Sequence, residues 1–182
     1  MVRHKKLKRE VNDNSIIQGV RALQNVGIHI ATENILGIPD TNLEQDFKTL
    51  ELNQILRPSF ANPSLYQPYP QTPLGDLACE VGAFSGDYDD IPDFYEGSCL
   101  KIDHLRELQN LKYLFSIAVE YPWIMRYIPK LIKLPLSSVY KKMELFWKGY
   151  ALTRRIVPIR MGIRHSLHVF RRAISAKGSI IY

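Results

Sequence analysis

The chain has 182 residues, of which 46% are hydrophobic and 23% charged, with a formal net charge of +6; this ordinary globular composition argues against disorder throughout and for one domain, or a small α/β part with a helical appendage. There is no run of about 18 or more uncharged apolar residues, so no spanning helix is expected, and the basic opening His4-Lys5-Lys6-Leu7-Lys8-Arg9-Glu10 lacks the apolar core of a signal peptide. Cys79 and Cys99 are the only cysteines, which fits a reducing compartment better than a disulfide scaffold, so a cytoplasmic location is expected, with peripheral membrane attachment as its extension.

The first helix is expected to start at Asn12-Asp13-Asn14, any of which can cap free helical amides, and Ile16, Ile17, Val20, Leu23 and Val26 then recur at helical spacing. Gly27 follows where helices commonly end in a left-handed turn. Residues 28–36 read as a buried strand, broken by Gly37-Ile38-Pro39. A second helix is capped at Thr41 or Asn42, with Leu43, Phe47, Leu50 and Leu56 as its buried stripe, and Arg57-Pro58 ends it. Residues 60–67 form the second strand, and Pro63 places it at a sheet edge because proline donates nothing to a ladder. The strand–helix–strand order demands a parallel pair.

Thr72 or Pro73 opens a short helix running to about Val81. The following stretch, residues 82–97, is rich in acids, aromatics, Gly and Pro and reads as a long loop. Beyond it the chain is helical. Leu105, Leu108, Leu111, Leu114, Phe115, Ala118 and Val119 make a strong stripe; Pro122, Pro129 and Pro135 then cut the segment into short pieces. Further helices are expected from Ser137 past Tyr150 and from His165 to Ala176. Charge is polarised along the chain: residues 58–100 hold no Lys or Arg, whereas no acid follows Glu144. Either the basic tail meets an anionic surface, or it pairs with the acidic loop of the same protein.

In α/β architectures the C-terminal ends of parallel strands line the site. Here those ends carry Thr32, Glu33, Asn34 and Gly37, and Tyr66, Gln67 and Tyr69. Asn34 and Gln67 lie in apolar strand runs and need partners if buried. A ligand is one such partner and a neighbouring core group is the other.

Three segments then stand at a telling spacing: Asn34-Ile35-Leu36-Gly37-Ile38-Pro39; the helix holding Leu43-Glu44-Gln45-Asp46 and Thr49-Leu50-Glu51-Leu52-Asn53; and Gln67-Pro68-Tyr69-Pro70-Gln71-Thr72-Pro73-Leu74. Together they resemble the late part of a radical S-adenosylmethionine (radical SAM) enzyme, in the branch whose members often carry a cobalamin-binding domain. Leu7-Lys8-Arg9-Glu10-Val11 and Ser15-Ile16-Ile17 are similar to the helix before the fifth barrel strand. The resemblance is close over residues 3–84, and Leu105 to Pro122 and Leu131 to Trp147 are similar to the branch's C-terminal extension.

The resemblance implies an α/β fold: the last two strands of a partial, TIM-barrel-like (β/α)6 barrel over residues 1–84, an acidic loop over 85–100, and an α-helical extension with a basic tail over 101–182. A barrel needs many more strands than two, so the chain is expected to be the C-terminal portion of a larger enzyme. The complete enzyme would cleave S-adenosylmethionine reductively at a [4Fe-4S] cluster, and cobalamin is a further cofactor the branch suggests. The family holds its cluster with three closely spaced cysteines, and Cys79 and Cys99 do not reproduce that spacing. No cofactor is therefore expected to bind this chain alone, which is expected to be inactive, with the missing barrel half supplied upstream or by another chain. The resemblance carries over only an adenine-side wall: Asn34, Ile35, Leu36 and Gly37, with Gln67 as a polar contact. Asp40 and Thr41 stand where the family usually has Gly-Glu, and Gln71 where it has Gly.

Other chemistry fits less well. His165 and His168 have chelating spacing on an expected helix, but no nearby Cys, Asp or Glu completes a shell. His29 and His104 are isolated, and no nucleophile turn, phosphate loop or nucleic-acid module appears, so no nucleic-acid partner is expected. The alternative function is a non-catalytic interaction module, with Tyr121-Pro122-Trp123-Ile124-Met125-Arg126-Tyr127 and the later basic helices lying on an anionic membrane.

Overall fold

The computed structural model describes residues 10–89, 91 and 98–156. Helix α1 (Asp13–Asn25) starts where Asn12 Oδ1 accepts the Ser15 amide at 2.8 Å. It closes with Gly27 at φ +79°, whose amide bonds Gln24 O at 2.9 Å while the Ile28 amide returns to Leu23 O at 3.1 Å. That double bond pattern needs a left-handed residue and satisfies otherwise orphaned carbonyls. It also turns Ile28 toward the helix, so strand β1 spans Ala31–Leu36 rather than beginning at residue 28.

Helix α2 (Leu43–Leu56) is capped by Asn42, whose Oδ1 accepts the Gln45 amide at 3.3 Å. It ends at Arg57, held in the left-handed region at φ +49°. Strand β2 (Phe60–Leu65) pairs with β1 in parallel, with Ala31 opposite Phe60 and Leu36 opposite Leu65. The last inter-strand bond runs from the Tyr66 amide to Leu36 O at 2.8 Å. Gly37 then bends β1 away at φ +72°, so β2 stops at Leu65 and Gln67, expected within the strand, lies past its end.

Helix α3 (Pro73–Glu80) follows, its start fixed by Thr72, whose hydroxyl accepts the Gly75 amide at 3.1 Å. Helix α4 (Leu105–Glu120) is the organising element. A 3₁₀ turn (Pro122–Arg126), the short α5 (Ile128–Leu131), α6 (Ser137–Ala151) and a π-type turn (Leu152–Ile156) complete the described chain. The expected division at the prolines is therefore seen, since Pro122 and Pro129 lie in the first turn of their helical pieces and Pro135 just before α6, where a missing N–H costs nothing. The expected helix around His165 lies outside the described residues, as do residues 90 and 92–97 of the acidic loop.

The two strands bury one face. Leu36 and Ala61 pack with Leu50 of α2 and with Leu108, Leu111, Phe115 and Ala118 of α4 in the main core. A smaller cluster gathers Tyr66, Ala78, Phe84 and Leu100 beyond the strand ends. Helix α4 also covers the outer edge of β2: the Ser116 hydroxyl donates to the Ala61 carbonyl, and Gln54 of α2 donates to Ala118 O at 2.9 Å. An edge so covered is closed to further strand pairing. The architecture of the described residues is thus α/β with a two-stranded parallel sheet. Among the described residues, no helix is long and apolar enough to cross a membrane.

Candidate functional site at the ends of the parallel strands

The five residues carried over by resemblance do not share a face. Strand alternation sends Thr32, Asn34 and Leu36 toward α2 and leaves Ala31, Glu33 and Ile35 on the opposite side. Leu36 is fully buried in the core, whereas Ile35 is 44% exposed. Gly37 caps the strand, and Gln67 lies half-buried past the end of β2. On the Ile35 side the polar neighbours are Asn62, which donates to Glu33 Oε2 at 2.7 Å, and Ser64, which donates to Asn34 O at 3.3 Å.

Asn34 meets the core partner rather than an open site. Its Oδ1 accepts from Asn53 Nδ2 at 2.7 Å, and its own Nδ2 lies 3.2 Å from Thr32 Oγ1. Thr32 in turn donates to Asn53 Oδ1 at 2.6 Å. This polar knot joins β1 to α2 and satisfies groups that would be costly to bury unpaired. Asn53 shares the buried face of α2 with Asp46, seven residues or about two turns further along. Both were missed by a reading that followed only the apolar stripe. The signal was available: each falls at helical spacing from Leu50, so a polar residue there has to point inward.

Asp46 fastens the strand end. Its Oδ1 accepts the Gly37 amide at 3.0 Å, while Oδ2 is buried without a hydrogen-bond partner. Burial pushes its carboxyl up to about 6, against the pull of the Gly37 bond. The left-handed Gly37 is also sterically required: a Cβ there would approach Leu108 Cδ2 to 2.4 Å. Beside this turn opens a cleft of about 210 Å³, bounded by Pro39, Asp40 and Thr41 on one side and Lys101 and His104 on the other. The cleft therefore occupies the strand-end position expected of a site, though Asn34 and Leu36 do not line it.

At the end of β2, Tyr66 is buried and its hydroxyl lacks a partner. Burial, with lesser contributions from neighbouring Tyr88, Cys99, Cys79 and Tyr69, drives that hydroxyl up to about 12. Cys79 is exposed, and Cys99 is half-buried with its thiol pushed up by burial. A buried neutral thiol is a poor metal ligand. Among the described residues no three His, Cys, Asp or Glu side chains gather as a metal site. With two cysteines in the whole chain, the residues present do not fit a cluster held by three thiolates.

Two backbone positions bear on the resemblance. Asp40 and Gln71 both adopt left-handed geometry, at φ +56° and +59°. Glycine is the residue that takes this geometry without steric cost. His29 lies on the surface within 3.1 Å of Ser59 Oγ, and His165 and His168 lie outside the described residues. Compared with protein-family models, with curated proteins and with solved structures, the chain finds no match.

Proposed function

We propose that this chain forms the closing part of a radical SAM barrel, contributing its last two strands and a helical extension to a larger catalytic assembly. The observation that carries the reading is the one-sided burial of β1. Among the described residues β1 pairs only with β2, and its outer face exposes Glu33 and Ile35. Parallel sheets are otherwise buried on both faces, because crossover helices cover them, and an unpaired strand edge recruits a further strand. The opposite edge is already closed by α4 and Ser116, so growth of the sheet is possible on the β1 side alone. The glycine-type geometry at Asp40 and Gln71 supports the same reading.

Reductive cleavage of S-adenosylmethionine belongs to the complete assembly, whose cluster this chain does not ligate. The contribution of this chain is a wall. Ile35 on the open face, the Gly37 turn held by Asp46, and Gln67 beyond β2 are the groups available to meet an adenine; Asn34 and Leu36 serve the core behind them.

The test is isolation of the native protein from its source cells under anaerobic conditions. The expected result is a three-cysteine cluster motif in the same polypeptide or in a tightly bound companion. That material should show [4Fe-4S] absorption and release 5′-deoxyadenosine, whereas the 182-residue chain reconstituted with iron and sulfide should do neither. A native 21.0 kDa monomer without a cluster-bearing companion overturns the proposal.

A further inference from the structure

Helix α6 has two apolar faces, and only one is used. Tyr140 and Ala151 are buried against the rest of the molecule, and Trp147 packs at a tilt against Tyr121 with ring centroids 5.8 Å apart. The outward face presents Val139, Met143, Phe146 and Tyr150, exposed by 49%, 41%, 67% and 44%. A helix apolar on both sides is normally covered on both sides. Between this face and α4 runs an open groove of about 440 Å³ lined by Tyr121, Val139, Lys142, Met143 and Phe146. Trp123, two residues past Tyr121, is 64% exposed.

The charges around the groove are mainly basic, and Glu120 beside Tyr121 is paired with Arg155 at 2.6 Å. Residues 121–143 contain no Asp or Glu, and Arg126, Lys130, Lys133, Lys141 and Lys142 are all exposed. The first acid, Glu144, is neighboured by Lys112, Lys141 and Lys148. We infer that this groove and the outer face of α6 seat an anionic lipid surface, with Phe146, Met143 and Trp123 entering the headgroup boundary and Lys141 and Lys142 meeting lipid phosphates and carboxylates. Aromatic side chains favour that boundary because one end is apolar and the other wet. Lysine stems lie along apolar surface while their ammonium groups reach outward. Apolar burial and electrostatic attraction then add in a single surface-parallel helix. An apolar face whose exposed charges are lysines, its nearest acids being engaged by Arg155 or set among Lys112, Lys141 and Lys148, matches a charged bilayer better than a protein groove, whose rim carries mixed polar groups. This inference is independent of the barrel reading.

The test is co-sedimentation of the full chain with phosphatidylcholine vesicles, with and without phosphatidylserine. Binding is expected only with phosphatidylserine, declining with salt, and brominated lipid should quench tryptophan emission. The paired substitutions Met143→Ser with Phe146→Ser, and separately Lys141→Glu with Lys142→Glu, should each weaken binding roughly tenfold or more, with unchanged circular dichroism. Absence of binding to either vesicle overturns the inference. So does binding that survives both pairs and is lost instead on replacing Arg171 and Arg172 in the basic tail.

Discussion

Asp46 holds its carboxylate in the first turn of α2, with one oxygen on the Gly37 amide and the other buried without a partner. Its folded pKa of about 6 exceeds the ordinary 3.8, so the folded state binds this proton more tightly than the unfolded state does. Its stabilising contribution is therefore complete below the unfolded pKa and is lost as pH rises through about 6, with an upper bound of about 3 kcal/mol by linkage. Urea titrations from acidic to neutral pH should show this decline. In Asp46→Asn, which keeps an oxygen for Gly37 but no longer titrates, the decline over that window should vanish. At the same scale, Gln71 sits at φ +59°, a geometry that strains any residue with a Cβ. Gln71→Gly should raise stability by up to about 1 kcal/mol, since relief of left-handed strain outweighs glycine's entropy. Gln71→Ala, which retains the Cβ, should give no such gain in thermal melts.

Among the elements, α4 carries most of the packing, joining α2, β2 and α6 through one long apolar stripe. Asn110, fully buried in that stripe, donates to Ile132 O at 2.7 Å and to Leu134 O at 3.0 Å. These carbonyls follow α5, which is too short to satisfy its own end, so Asn110 acts as an internal cap for the neighbouring element. Asn110→Ala should cost about 1–3 kcal/mol by leaving the Ile132 carbonyl buried without its donor, since Leu134 O still accepts the Leu136 amide at 2.8 Å; the loss is measurable as a lower denaturant midpoint with α4 still helical. Helix α1 is the contrast. It has no buried residue, and Leu23 and Val26 remain 45% and 72% exposed on its apolar side. Gln24 still ties it to α2, donating to Leu56 O and Arg57 O at 3.0 Å each. The apolar spacing of α1 was legible in the sequence; that its face would lie largely uncovered was not, because periodicity states which residues seek burial and not what covers them.

Across the whole molecule, burial is lopsided: one sheet face, one sheet edge and α4 form the core, while the outer side of β1 is bare. The uncovered strand should open more readily than the central helix. Hydrogen exchange on the isolated chain should therefore show weak protection across Ala31–Leu36 relative to Leu105–Glu120. A monodisperse monomer with equally strong protection in both would make the chain a self-sufficient domain and remove the reason for seeking its barrel partner.

The sequence by itself determined the order of elements and where the helices begin and stop, because those depend on nearby residues: Asn12, Asn42 and Thr72 as caps, Gly27 as a left-handed stop, and prolines as helix starts; both strands came out shorter than their apolar runs, since pairing sets their ends. It also determined the parallel pairing, since a helix between two strands leaves no other arrangement in one sheet. The site was only half legible. Alternation groups Asn34 with Leu36, but nothing in the chain order states which face α2 will cover. Packing turned Asn34 toward Asn53 and left Ile35 outside. Asp46 became the support of Gly37 only when α2 folded back on β1 and brought a carboxylate to an amide nine residues away. Local chemistry writes the elements, whereas buried polar partners are chosen by long-range packing, and that choice exists only in the folded chain.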